Sequence, residues 1–71
     1  MTITIATTQI NHNDILKKTV IQLHWDKRER YDVTVIDEFN QREKKSTYNF
    51  ETAIKLYFKK VTQAFNEVFS E

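Results

Sequence analysis

No glycine, proline or cysteine occurs in the 71 residues. Average usage of roughly 7% Gly and 5% Pro would put about five of the first and three or four of the second into a chain of this length. A loop that cradles phosphate needs glycine so that the backbone can approach the ligand, and dinucleotide fingerprints need it for the same reason, so both are excluded. A polyproline ligand is excluded too. Without cysteine there is no disulfide framework, cysteine-ligated zinc, thiol nucleophile or redox switch. Charge of one sign is also lacking: eleven Lys and Arg stand against ten Asp and Glu, a net of +1. That balance suits neither a protein that wraps nucleic acid by electrostatics alone nor a general acidic mimic. No apolar run exceeds three residues, Leu56–Tyr57–Phe58, so neither a secretory segment nor a membrane span is expected. The cysteine usage is compatible with a reducing compartment, and the expected location is the cytoplasm of a bacterial host cell.

What the chain does contain is aromatic and β-branched. One Trp, three Tyr and five Phe make up 13% of it, within an apolar fraction of 39%. A chain of roughly 60–70 residues buries only about 60% of its unfolded surface, so a single domain over residues 1–71 is expected, with aromatics supplying much of the burial. Thr, Lys, Ile and Asn are frequent while Ala is scarce, the bias of an AT-rich reading frame such as that of a low-GC bacterium or its phage.

Along the chain, Ile3 and Ile5 alternate with Thr2 and Thr4 over residues 1–9, which reads as an edge strand or a frayed tail. Asn11 as N-cap, with Asp14 three residues on and Ile10 placed to staple onto Ile15, predicts a short helix over 11–18. Residues 19–25 alternate with Ile21, Leu23 and Trp25 on one face and Val20, Gln22 and His24 on the other. Residues 30–37 resume the pattern with Tyr31, Val33 and Val35. Residues 44–50 form the next strand, with Ser46, Tyr48 and Phe50 inward and Lys45, Thr47 and Asn49 outward. The connections 26–29 and 38–43 lack glycine, so loops of four or five residues built on type I turns are expected, with Asn40 best suited to a positive φ. Asn49 caps a helix over 50–69, whose stripe of Ile54, Phe58, Val61, Phe65 and Val68 falls on one side at about 100° per residue. The fold expected is α+β: a three- or four-stranded antiparallel meander with a C-terminal amphipathic helix packed on one face, in the order β-(short α)-β-β-β-α.

No chemistry-bearing constellation emerges. Ser46 lies in a strand and Ser70 at the terminus, neither beside a base and an oxyanion hole. Asp37 and Glu38 share a turn with no apolar pocket to shift them. His12/Asp14 and His24/Asp26 have a spacing that could pair ligands, but the element order does not bring the two pairs together. No catalytic residue, metal ligand or cofactor is assigned, and the chain is expected not to be an enzyme. The sheet face away from the helix stays uncovered and shows no aromatic on which a base could stack. Leu56 projects among Lys59, Lys60 and Gln63, where a charged residue would be expected. The residues expected to meet a partner are therefore Val20, His24, Arg28, Arg30, Ile36, Lys45 and Leu56.

The stretch Tyr31-Asp-Val-Thr-Val-Ile-Asp37, then Tyr48-Asn-Phe50, then the helical pattern from Glu51 to Phe69 resembles, in size and layout over residues 19–69, small proteins of phages and mobile elements. Among these are Cas9-directed anti-CRISPR inhibitors, some of which pair a short antiparallel sheet with flanking helices. The resemblance implies a non-catalytic inhibitor that binds a bacterial defence protein and blocks nucleic-acid entry or a conformational change. The inhibitors that imitate DNA are strongly acidic, and the balanced charge here departs from them. The alternative expectation is a small nucleic-acid-binding accessory protein, a dimer that joins the basic residues of its two turns (Lys27, Arg28 and Arg30; Arg42, Lys44 and Lys45) into one track.

Overall fold

The structure, a computed structural model, describes residues 2–12, 18–27, 29–37 and 39–69. Four strands and a helix follow in order: β1 (Thr2–Asn11), β2 (Lys18–Asp26), β3 (Arg30–Ile36), β4 (Arg42–Thr47) and α1 (Phe50–Phe69). The strands form one sheet in the order β1-β2-β3-β4, every neighbouring pair antiparallel. This is the α+β meander with a C-terminal helix that the alternation and the helical stripe imply. The short helix expected over 11–18 is not seen. Asn11 ends β1 and Lys18 begins β2, and the two are paired, while residues 13–17 lie outside the described residues. Strand propensity in the run Thr7–Ile10 carries β1 through the Asn11 cap signal.

The helix covers the face that carries Ile21, Leu23 and Val33, each 2% exposed or less, with Ile10 and Thr19 buried beside them. Tyr31 and Val35 pack against this cluster. On β1 the same face holds Ala6, Thr8 and Ile10, opposite Leu23, Ile21 and Thr19. A bulge between Thr4 and Ala6 makes Ile5 the extra residue, which bends the strand and restores Ile3 to the helix side opposite Trp25.

Both later hairpins turn without glycine and in the same way. Asp26 C=O accepts from Glu29 N–H at 2.9 Å, and Asp37 C=O accepts from Asn40 N–H at 3.0 Å. Glu29 and Asn40 are the two residues at positive φ, 63° and 62°. Three residues separate Asp26 from its partner Arg30, and Asp37 N–H donates to Gln41 C=O across the equivalent gap. The loops are therefore one residue tighter than the shortest expected, because a left-handed third residue closes a three-residue hairpin loop. Asp37 Oδ1 adds bonds from Phe39 N–H and Gln41 N–H.

That second turn sets the register of β4. Val33 pairs with Lys45 and Tyr31 with Thr47, so Glu43, Lys45 and Thr47 share the helix side while Arg42, Lys44 and Ser46 face outward. This reverses the expected faces. The sequence expectation rested on Tyr48 and Phe50, but β4 stops at Thr47, Tyr48 is 75% exposed, and Phe50 opens the helix. Within Arg42–Thr47 there is no apolar residue, so hydrophobic patterning has no hold on the strand and turn geometry decides.

Asn49 caps α1 as expected, its Oδ1 accepting from Thr52 N–H at 3.0 Å. The helix is rotated from the expected stripe. Ala53, Tyr57 and Ala64 are the buried helix residues. Lys60 reaches Glu43 on β4, and Tyr57 hydrogen-bonds Thr8 on β1. With successive residues about 100° apart, the inward direction lies roughly 80° from the centre of the Ile54/Phe58/Val61/Phe65/Val68 stripe. Ala53 and Ala64 let the backbone sit close to the sheet, a position that a phenylalanine there would forbid. The aromatic members of the stripe are displaced to its border: Phe58, Phe65 and Phe69 are 61%, 53% and 54% exposed.

Candidate interaction surfaces

Three surfaces are available to act. The first is the outer face of the sheet. Across its four strands runs a row of polar side chains in register: Thr4, His24, Asp32 and Ser46. Thr4 Oγ1 and His24 Nδ1 share a hydrogen bond of 3.1 Å, and Ser46 Oγ donates to Asp32 Oδ1 at 2.6 Å. Asp32 is only 7% exposed, so its carboxylate needs these partners. Arg30 lies between two acids, with Nε 3.3 Å from Asp32 Oδ1 and a terminal nitrogen 3.6 Å from Asp26. The Nε contact is an ion pair whose angle is too poor for a hydrogen bond. Half-buried Val20 and Ile36 pair with each other on the same face, separated from the row by the pair Gln22 and Thr34.

Four of the expected partner residues, Val20, His24, Arg30 and Ile36, thus share this face, with Val20 and Ile36 at one end of the β2–β3 pairing, Arg30 at the other and His24 between them. The other three do not. Arg28 lies outside the described residues. Lys45 is exposed on the helix side of β4, for the register reason given above. Leu56 packs against the core, because the rotation that turns Ala53 and Tyr57 inward carries their neighbour toward the sheet.

The second surface is a polar cleft of about 290 Å³ between α1 and the β3–β4 end of the sheet, lined by Asp37, Arg42, Glu43, Lys60 and Glu67 among others. Its central charges satisfy each other. Lys60 Nζ donates to Glu43 Oε1 at 2.8 Å, and this hydrogen bond, reinforced by the ammonium charge and by Lys45, holds the Glu43 carboxyl below the usual glutamate range.

The third surface is the aromatic border of α1, where Ile54 lies beside Phe58; Ile3 and Ile5 on β1 are also exposed, both 46%. Sequence reasoning assigned Phe58 and Phe65 to the core and so missed it. The signal that marks it is the pair Ala53 and Ala64, small residues on a helix rich in phenylalanine.

His12 Nε2 and Thr19 Oγ1 are 2.9 Å apart, so each described histidine meets a threonine hydroxyl. Among the described residues no group of three or more His, Cys, Asp or Glu is placed to hold a metal ion, and no helix is long and apolar enough to cross a membrane. Comparison with known proteins finds no matching family model, no matching curated protein and no matching solved structure.

Proposed function

We propose that the chain is a non-catalytic protein-binding module that occupies a surface of a host protein with the outer face of its sheet. The observation that carries this reading is the row Thr4–His24–Asp32–Ser46 with Arg30 braced beside it. These side chains are already hydrogen-bonded or ion-paired in the free protein, so docking does not have to order them. Val20 and Ile36 add apolar area, and arginine is a residue that interfaces favour. The partner class we propose, a nucleic-acid-processing defence protein such as a CRISPR nuclease, rests on the resemblance in size and layout to small phage and mobile-element proteins. The chain then acts in the cytoplasm of the bacterial host by covering a site on that enzyme.

The test is capture from a bacterial lysate by the wild-type chain and by two variants. Val20→Asp with Ile36→Asp loses the captured protein, while Lys59→Glu on the helix retains it. The protein identified is a nuclease whose DNA cleavage falls when the chain is added. Capture of nothing specific, or capture indifferent to the sheet variants, overturns the reading.

A second reading, a nucleic-acid-binding accessory protein acting as a dimer, draws on Lys18, Arg42 and Lys44, which lie on the outer face toward one end of the sheet. Each phosphate they engage adds a slope of about −0.9 to log affinity against log salt. Fluorescence anisotropy with single- and double-stranded oligonucleotides separates the two readings.

A further inference from the structure

The aromatic border of α1 and the free edge of the sheet lie on the same flank of the molecule. Going round the helix, Lys60 points to β4 and Tyr57 to β1. Continuing in the same sense by helical geometry leads past Val61 and Ile54 to Phe65, Phe58 and Phe69, which therefore overhang β1. One helix is only about 10 Å across, and strands lie about 4.8 Å apart, so a helix centred on β2 and β3 leaves the outermost strand partly uncovered.

The two edges of the sheet are built differently. β4 carries Arg42, Glu43, Lys44 and Lys45 in six residues, the charged side chains that keep an edge from pairing. β1, TITIATTQIN, carries no charge at all. Its only blunting device is the bulge at Ile5, which leaves the six residues Ala6–Asn11 as a regular free edge.

The exposed area is also larger than a compact monomer needs. The chain exposes 5445 Å², whereas a folded monomer of its 8.6 kDa is expected to expose roughly 4,700 Å². The excess is close to the ~800 Å² that each partner contributes to a standard interface. Phe58, Phe65 and Phe69, 61%, 53% and 54% exposed, together present roughly 300 Å² of aromatic surface at the ~150–250 Å² an aromatic side chain carries.

We propose that the chain forms a two-fold dimer in which Ala6–Asn11 of one copy pairs antiparallel with the same segment of the other, and Phe58 and Phe65 of the two helices meet over the joint. The result is an eight-stranded sheet with the charged β4 at both ends. An identical segment paired antiparallel with itself is a self-complementary contact that closes at two copies. No like charges oppose each other along β1, and Lys55 and Lys59, which line one shallow depression with Ile54 and Phe58, flank the aromatic border on the side of α1 turned away from the sheet. The joint leaves the outer sheet face open, so this inference does not depend on the proposed function.

Light scattering of the full chain between about 1 and 100 µM tests it, the range being set by the ~8 kcal/mol of a micromolar complex. The expected mass is twice 8.6 kDa. Phe58→Glu with Phe65→Glu, both at exposed positions, keeps the far-UV circular dichroism and weakens association at least about 100-fold, since like charges across an interface are opposed by several kcal/mol. Thr7→Lys with Gln9→Lys, which charges the edge without touching the helix, does the same. The His24→Ala variant on the outer face still dimerises. A single-chain mass at 100 µM, a dimer that survives both double variants, or masses that climb beyond two copies would each overturn the proposal.

Discussion

Glu29 holds φ at 63°, where an L-residue with a Cβ is disfavoured by about 1–2 kcal/mol. Asn40, at the equivalent place in the next hairpin, tolerates that conformation far better. Substituting Glu29→Gly removes the strain and adds back part of it as unfolded-state freedom. The expected net gain is about 0.5–1 kcal/mol, or roughly 3–6 °C in Tm for a domain of this size by calorimetry. Asn40→Ala is expected to shift Tm the opposite way by a similar amount. Asn40 was legible in the sequence because asparagine is the standard substitute for glycine at such a turn. Glu29 was not, because nothing in a glutamate announces a left-handed backbone; its conformation is imposed by the pairing of Asp26 with Arg30 on either side.

At the scale of elements, the interior strands were readable and the outer ones less so, for a physical reason. β2 and β3 alternate apolar and polar residues along their length, and a one-residue slip would expose Ile21, Leu23 and Val33. β4 offers no such constraint, and its face follows from the turn before it. The helix shows the complementary case. Its apolar arc is about half its circumference, wider than one sheet can cover, so periodicity defines the helix without fixing which part of the arc is buried. Ala53, fully buried, is the element that decides. Ala53→Leu is expected to lift α1 from the sheet and to cost about 1–3 kcal/mol in urea unfolding. The residues expected to meet a partner divide in the same way: Val20, His24, Arg30 and Ile36 sit on the well-patterned strands and share the expected face, while Lys45 and Leu56 depended on the two elements whose rotation the pattern leaves open.

For the molecule as a whole, the helix makes most of its contacts over β2 and β3 and fewer over the flanking strands, and this graded cover is expected to appear in hydrogen exchange. Amides of β2 and β3 should exchange only through global unfolding, and those of β4 much sooner. The Ala6–Asn11 amides separate the assembly states, since in a lone chain they exchange like β4 whereas the paired edge gains protection as protein concentration rises. Mass-spectrometric exchange at two concentrations reads all three. The order of the elements has another consequence. Each strand pairs with the one just before it, so the sheet can zip up from its first hairpin onward with little loop-closure cost. The helix that seals Ile21, Leu23 and Val33 from water comes after every strand. At roughly 5–20 residues per second, the twenty residues of α1 take about one to four seconds to be added, so all four strands have been synthesised before the element that covers their apolar face. In that interval the side chains of the future core are present without the element that will shield them, so the exposure of apolar surface is built into the order in which the chain is made.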